Sequence, residues 1–482
     1  MMDEAKRCPL FGSCGGCFYG GLPYRDELRE KEEKLKGLFR DVVPEGFFDS
    51  AAYEGITGSP VEEGYRNKME YSFGNAEKDG PLTLGLHKKK SFFDILSVPD
   101  CLIVSEDFNT VRAAAEAYFR EKNVPFYHKK THSGSLRHLV LRRNREGDLL
   151  VNLVTASGFR PEPDFAEMLL SLPLSGRIAG ILHTENDALS DTVAKDALHV
   201  LWGEDHLTET VLGLQFDISP FSFFQTNTEA AELLYEKARA YIALTPGSRV
   251  YDLYSGTGTI AQLLAPACEK VYGVEIVEEA VEAARGNAEK NGLANCEFIA
   301  GDVLRVLDEL PPADYIVLDP PRDGVNPKAL AKLMRSGAGR MVYISCKPKS
   351  LARDLPMLKL GGYELQKMAF IDLFPKTDNC EAVALLSKLS EVKHHIEVTV
   401  DMDELDLTSA ESLATYDEIR EWVQENYGFH VTNLNIAQVK RKHGIIEQQN
   451  YNFPKSENSR QPNCPEEKEK AIEEALKHFQ MI

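Results

Sequence analysis

"RVYDLYSGTGTIAQLLAPA", residues 249–267, runs from a short apolar strand through a turn with two glycines into an amphipathic helical pattern. Strands buried on both faces of a parallel sheet read as brief continuous apolar runs, and their crossovers read as amphipathic helices. The rhythm repeats downstream. "KVYGVEI" (270–276), "CEFIAGD" (296–302), "DYIVLDP" (314–320) and "RMVYISC" (340–346) alternate with helical stretches such as "VEEAVEAARGNAEKNG" and "PKALAKLMRSG". Two more strand-like runs, "YELQKMAFIDLF" and "CEAVALLSKL", close the unit. These patterns predict a Rossmann-like, doubly wound α/β domain over residues 216–390.

Within that domain the turn is shaped for a nucleotide. Gly256 permits the tight bend, and Gly258 is expected to let backbone approach a ligand closely. Ala261 stands where a dinucleotide fingerprint carries its third glycine. Glu275 ends the next strand, where a carboxylate accepts hydrogen bonds from ribose hydroxyls. Asp302 ends the third and is expected at an adenine edge. The set describes an adenosine-containing ligand, either NAD or a methionine-bearing nucleoside that needs no pyrophosphate cradle.

The later strand ends carry reactive groups. In "LDPPR" (318–322) two prolines stiffen the chain beyond the strand tip and hold Asp319 in the crevice. In "VYISCKPKSL" (342–351) Cys346 stands at a strand tip rather than in its apolar interior, and Glu381 opens the last strand. A thiol and a carboxylate beside an adenosine cradle point to covalent catalysis on a poor carbon nucleophile such as C5 of uracil. A thiolate added at C6 makes C5 nucleophilic, and a base then removes the C5 proton. Lys347 and Lys349 are expected to favour the thiolate. Arg322 takes the place after the prolines where amine methyltransferases carry an aromatic residue, which leaves amine methylation as the alternative chemistry.

These residues, in this order, resemble the RNA uracil-C5 methyltransferases of the RumA/TrmA type. The resemblance covers residues 8 to about 388, with "DPPRDG", "MVYISC" and "IDLFPKTDNCE" similar to that family's signature segments. It implies Cys346 as nucleophile and Glu381 as general base, with S-adenosyl-L-methionine as cofactor. It also implies cofactor or base contacts by Gln225 in "FSFFQTN", Tyr254, Glu275, Asp302 and Asp319, with Thr259 a further candidate. "YRNKMEYSFG" (65–74) is similar to a segment of the family's RNA-binding part. Lys347, Lys376 and Asn379 depart from the family pattern.

Cys8, Cys14 and Cys17 form C-x5-C-G-G-C, and Cys101 follows in "VPDCLIV". Closely spaced thiols in this pattern suit zinc or an iron–sulfur cluster, and spacing leaves the metal open. The resemblance favours a [4Fe-4S] cluster on Cys8, Cys14, Cys17 and Cys101, and with it 23S rRNA before tRNA as substrate.

The whole chain of 482 residues sets the frame. The expected organisation is a Cys-rich iron–sulfur segment at 1–25 and a central α+β RNA-binding domain with a mostly antiparallel sheet at 26–215. The methyltransferase domain at 216–390 and a helical extension of no assigned role at 391–482 complete it. "YRDELREKEEKLKGLFR" predicts a helix with Leu28, Leu35, Leu38 and Phe39 on its apolar stripe. The chain has no apolar signal segment and no membrane span, so a cytoplasmic protein is expected, with a monomer as the simplest state. A formal net charge of −20 excludes an indiscriminate nucleic-acid binder. Within it, "HKKK" (87–90) and "HKKTHSGSLRHLVLRRNR" (128–145) are basic islands, the second expected to bind RNA phosphates, with Arg142 and Arg143 among the contacts. The tail carries 10 Lys/Arg against 18 Asp/Glu. Its "YDEIREWVQENYG" and "NLNIAQVKRKHG" predict two helices, either a small helical appendage or a helix-turn-helix reader of nucleic acid, which would make the chain a non-catalytic RNA-binding protein.

Overall fold

The computed structural model describes residues 8–189, 195–388, 419–420, 422–423, 427, 431–443 and 465–478. They fall into two compact units, Met1–Val392 and Lys393–Ile482.

In the first unit the 249–267 run forms β11 (Arg249–Leu253) and α5 (Thr259–Leu264). It pairs in parallel with β12 (Lys270–Glu275) on one side and β14 (Tyr315–Leu318) on the other. β13 (Cys296–Ala300) lies beyond β12, and β15 (Arg340–Ser345) beyond β14. β17 (Glu381–Lys388) runs antiparallel between β15 and β16 (Tyr363–Ile371). The eighth strand, β1 (Tyr53–Thr57), pairs in parallel with β16 at the edge. One face is covered by α4 (Thr228–Ile242), α5 and α6 (Glu278–Lys290). The other is covered by α1 (Tyr24–Phe39), α7 (Val303–Val306), α8 (Pro327–Arg335) and α9 (Pro348–Leu360). α1 and β1 come from the stretch read as the central domain, so the chain enters the eight-stranded sheet and its helix layer before it builds the second sheet.

That second sheet has seven strands: β4 (Ile95–Ser97), β3 (Thr83–His87), β2 (Lys68–Gly74), β5 (Leu136–Arg143), β6 (Leu149–Thr155), β7 (Ile178–Glu185) and β8 (Ala197–Gly203). All neighbours are antiparallel except β6 and β7. Its core packs on α2 (Glu106–Glu121) and α3 (Pro163–Leu170). The hairpin β9 (Leu207–Val211) and β10 (Leu214–Ile218) sends Val211, Phe216 and Ile218 into the core shared with α4, α5 and α6.

α1 departs from its expected stripe. Glu27, Lys31, Leu35 and Phe39 are buried along an i, i+4 line, whereas Leu38 is 44% exposed. Lys31 Nζ lies 2.9 Å from both carboxylate oxygens of Asp372 and 2.8 Å from Glu27 Oε1. A buried ion pair mimics a solvent face in sequence, because partners distant in the chain are invisible to periodicity.

In the second unit, helices Asn433–Lys442 and Glu466–His478 share a small apolar core with Ile419, Val423 and Val431. Most of "YDEIREWVQENYG" and the acidic stretch before it lie outside the described residues.

Candidate active site

The carboxyl ends of β11, β12, β14 and β15 open on a cleft of about 1220 Å³. It lies where the strand order reverses between β11 and β14, the usual ligand crevice of an open α/β sheet. Gln225, Tyr254, Gly256, Glu275, Asp319, Cys346 and Glu381 all line it.

Its cofactor half is built by the turn after β11. Tyr254 has φ +67, a left-handed conformation that bulky residues adopt only when the surroundings impose it. The amides of Tyr254 and Ser255 both donate to Val274 O, which holds that turn against β12. Glu275 accepts from the amides of Gly256 (3.1 Å) and Val277 (3.0 Å), so its carboxylate is oriented before any ligand arrives. Gly256 has φ +53, and a Cβ there would meet only the Phe223 ring, at an ordinary contact of 4.0 Å. Gly258 has a second, structural reason to be glycine. With φ +75, a Cβ there would sit 2.6 Å from the Phe298 ring and 2.9 Å from Ala284, so helix–sheet packing also requires this glycine. Thr259 is buried as the first residue of α5. Asp302 is exposed and caps α7, its Oδ1 accepting from Leu304 N at 2.8 Å, while its charge reaches Tyr254. Neither lines the cleft.

The reacting half is set by register. Ser345 pairs with Ala382 across antiparallel β15 and β17, which brings the next position, Cys346, opposite Glu381. Glu381 is 1% exposed and its Oε2 has no hydrogen-bond partner. Burial and the neighbouring Asp319 push its pKa well above the usual carboxylate range, against the pull of Arg322. Burial alone pushes Asp319 up to about 7. The Cys346 thiol is pushed up to about 11 by burial, then by Glu381 and Asp319. The cation that opposes this is Arg322, not the lysines expected from sequence. Lys347 is exposed and lies 3.9 Å from Asp323, and Lys349 is exposed on the first turn of α9.

Sequence reasoning missed the side chains that hold these halves together. Asn67 Nδ2 donates to Gln225 O and Thr228 Oγ1, and its amide donates to Thr226 O. Tyr65 OH donates to Pro375 O at 2.8 Å. The "YRNK" stretch therefore ties the Gln225 loop and the 372–379 segment to the second sheet. Arg142 is buried in β5 and donates to Ser222 O, which takes it off a phosphate-binding surface, whereas Arg143 ends the strand half-buried. The one signal for these roles was the family-like segment at 65–74.

Cys8, Cys14, Cys17 and Cys101 line one small apolar cavity together with Lys376. Burial pushes Cys17 up to about 12, with Cys101, Cys14 and Cys8 adding to the rise, so the four sulfurs feel one another. Among the described residues no three His, Cys, Asp or Glu side chains converge on a single metal ion. The amides of Phe18 and Tyr19, just after Cys17, both donate to Lys376 O, which joins this segment to the loop leading to Glu381.

A family profile described as a methyltransferase domain matches residues 244–451. An uncharacterised RNA methyltransferase of Clostridium acetobutylicum is 46% identical over 79% of this chain and 84% of its own length. Another, from Bacteroides thetaiotaomicron, is 33% identical over 79% of this chain and 87% of its own. Among solved structures, the tRNA (uracil-54, C5)-methyltransferase of Pyrococcus abyssi with S-adenosyl-L-homocysteine superposes with a TM-score of 0.62. It is 28% identical, over 76% of this chain and 84% of its own.

Proposed function

The chain belongs to the RNA methyltransferases, and from that premise we propose that it methylates C5 of a uridine in RNA by covalent catalysis. The observation that carries the reading is the β15–β17 register, which sets a cleft thiol, Cys346, opposite a buried carboxylate, Glu381, beside an adenosine-shaped turn. Cys346, as thiolate, adds to C6; the S–C6 bond forms and the C5=C6 electron pair moves toward the C4 carbonyl. S-adenosyl-L-methionine, when bound, would supply the electrophilic methyl group that C5 accepts, its S–CH3 bond breaking to leave S-adenosyl-L-homocysteine. Glu275, Tyr254 and Gln225 would hold its adenosine and methionine parts. Glu381 then takes the C5 proton, and that C–H electron pair restores C5=C6 as the S–C6 bond breaks. A carboxylate whose proton affinity is raised by burial suits that last step. The target base must leave its stack to expose C6, so loops or single strands are the expected substrates.

Cys8, Cys14, Cys17 and Cys101 would hold a [4Fe-4S] cluster whose role is to shape the segment that carries Lys376. Iron and sulfide analysis of anaerobically purified protein, with Cys101→Ala as control, tests it. The cluster favours 23S rRNA as substrate. The similarity to the Pyrococcus abyssi enzyme favours a second reading, tRNA.

Incubation with 23S rRNA and tRNA containing 5-fluorouracil separates these, because fluorine at C5 blocks proton removal. A denaturation-resistant complex is expected with one RNA and is expected to vanish in Cys346→Ala. An enzyme that transfers methyl groups but forms no such complex overturns uracil-C5 chemistry and leaves amine methylation.

A further inference from the structure

Two turns of the second sheet place a set of residues that the catalytic cycle does not use. Phe92 and Phe93 are 65% and 49% exposed, among the most exposed large apolar side chains of the first unit. Each faces a lysine of the other turn. Lys129 Nζ lies 4.9 Å from the Phe92 ring centre, and Lys130 Nζ lies 4.6 Å from that of Phe93. Residues 87–93 and 128–133 together bring Lys88, Lys89, Lys90, Lys129 and Lys130 and no acidic residue, in a chain of formal charge −20. Lys88 Nζ lies 3.9 Å from the Asp94 carboxylate.

The turn is built to keep the rings outside. Lys88 N donates to Asp94 O, Ser91 N to Lys88 O, and Asp94 N to Ser91 Oγ, so backbone bonds close the loop beneath the two phenylalanines. The turn is also tied to the cleft. It continues β3, whose Leu86 lines the cleft, and Gly15 N donates to His87 O next to cleft-lining Gly16.

We infer that Phe92 and Phe93, ringed by Lys88, Lys89, Lys90, Lys129 and Lys130, form a stacking platform for unpaired bases of single-stranded RNA next to the target uridine. Aromatic faces interleaved with cations are what a flexible polyanion with exposed bases requires. A duplex offers phosphates but no free base faces, so the platform selects single strands. The inference rests on the RNA reading above and adds to it the site that holds the flanking strand.

The test measures binding of the full chain to a fluorescent single-stranded oligouridylate and to an RNA duplex of equal length, at several salt concentrations. Phe92→Ala/Phe93→Ala is expected to weaken single-strand binding at least about tenfold, with the salt slope unchanged. Phe92→Trp/Phe93→Trp is expected to restore it. Lys129→Gln/Lys130→Gln is expected to lower the slope of log affinity against log salt by about 1. S-adenosyl-L-homocysteine affinity, equal in all variants, certifies the fold. Unchanged single-strand affinity in the alanine variant, or an equal loss for duplex, overturns the platform and leaves the RNA reading standing. A wild-type chain that binds neither RNA overturns both.

Discussion

Arg322 and Asp252 show how single charges tune the cleft. Arg322 is the cation that lowers the proton affinity of both Cys346 and Glu381. Its replacement by glutamine is expected to raise the Cys346 pKa further. Alkylation of Cys346 by iodoacetamide at pH 8 should then slow by about two- to tenfold, since one pKa unit is a tenfold change in thiolate. An unchanged rate would remove Arg322 from this role. Asp252 is fully buried beneath the glycine turn; Oδ2 accepts from Ala261 N at 2.8 Å and Oδ1 has no partner. Burial, against that hydrogen bond, and the nearby Asp319 and Glu275 push its pKa up to about 7. A carboxyl with a raised folded pKa stabilises below its unfolded value near 4, and that contribution is lost as pH rises through 7. Asp252→Asn keeps the acceptor for Ala261 and removes the charge. Wild type is therefore expected to lose several degrees of melting temperature relative to the variant between pH 6 and pH 8. A gap that does not change with pH counts against a buried ionisation there.

At the scale of elements, α1 is docked by charge as much as by apolar surface. Lys31, 2% exposed, joins Glu27 and Asp372 and also donates to Phe374 O at 3.2 Å. This network supports the 372–380 segment, whose far end delivers Glu381. Lys31→Met leaves two buried carboxylates facing each other, and an uncompensated buried charge costs about 3–5 kcal/mol. Urea unfolding is expected to show a loss of that size, partly recovered when Asp372→Asn is added. Full stability of the single variant would show the pair to be dispensable. The strands of the catalytic sheet were legible because each carries its own apolar run. The polar face of α1 was not, because Asp372 lies more than 340 residues away in the chain.

For the whole molecule, every cleft-lining residue and all four cysteines lie within Met1–Val392. A chain ending at Val392 is expected to melt cooperatively and to bind S-adenosyl-L-homocysteine with unchanged affinity, measured by calorimetry. A large fall in either would show that the acidic tail supports the catalytic unit. No helix among the described residues is long and apolar enough to cross a membrane.

Residue order alone determined the parallel sheet, the glycine turn and the strand-tip positions of Glu275, Asp319 and Cys346. Local periodicity and turn chemistry act over a few residues, and the carboxyl ends of parallel strands share one edge by construction. Tertiary structure alone decided what those residues meet. The register of an antiparallel strand from late in the chain brought Glu381 opposite Cys346. Packing against Phe298 and Ala284 claimed Gly258, and burial withdrew Arg142 from the surface. The fold also made Arg322, rather than the adjacent Lys347, the cation that Cys346 feels. Electrostatic influence follows distance through space and the water excluded from it, and neither is written in the spacing of a sequence.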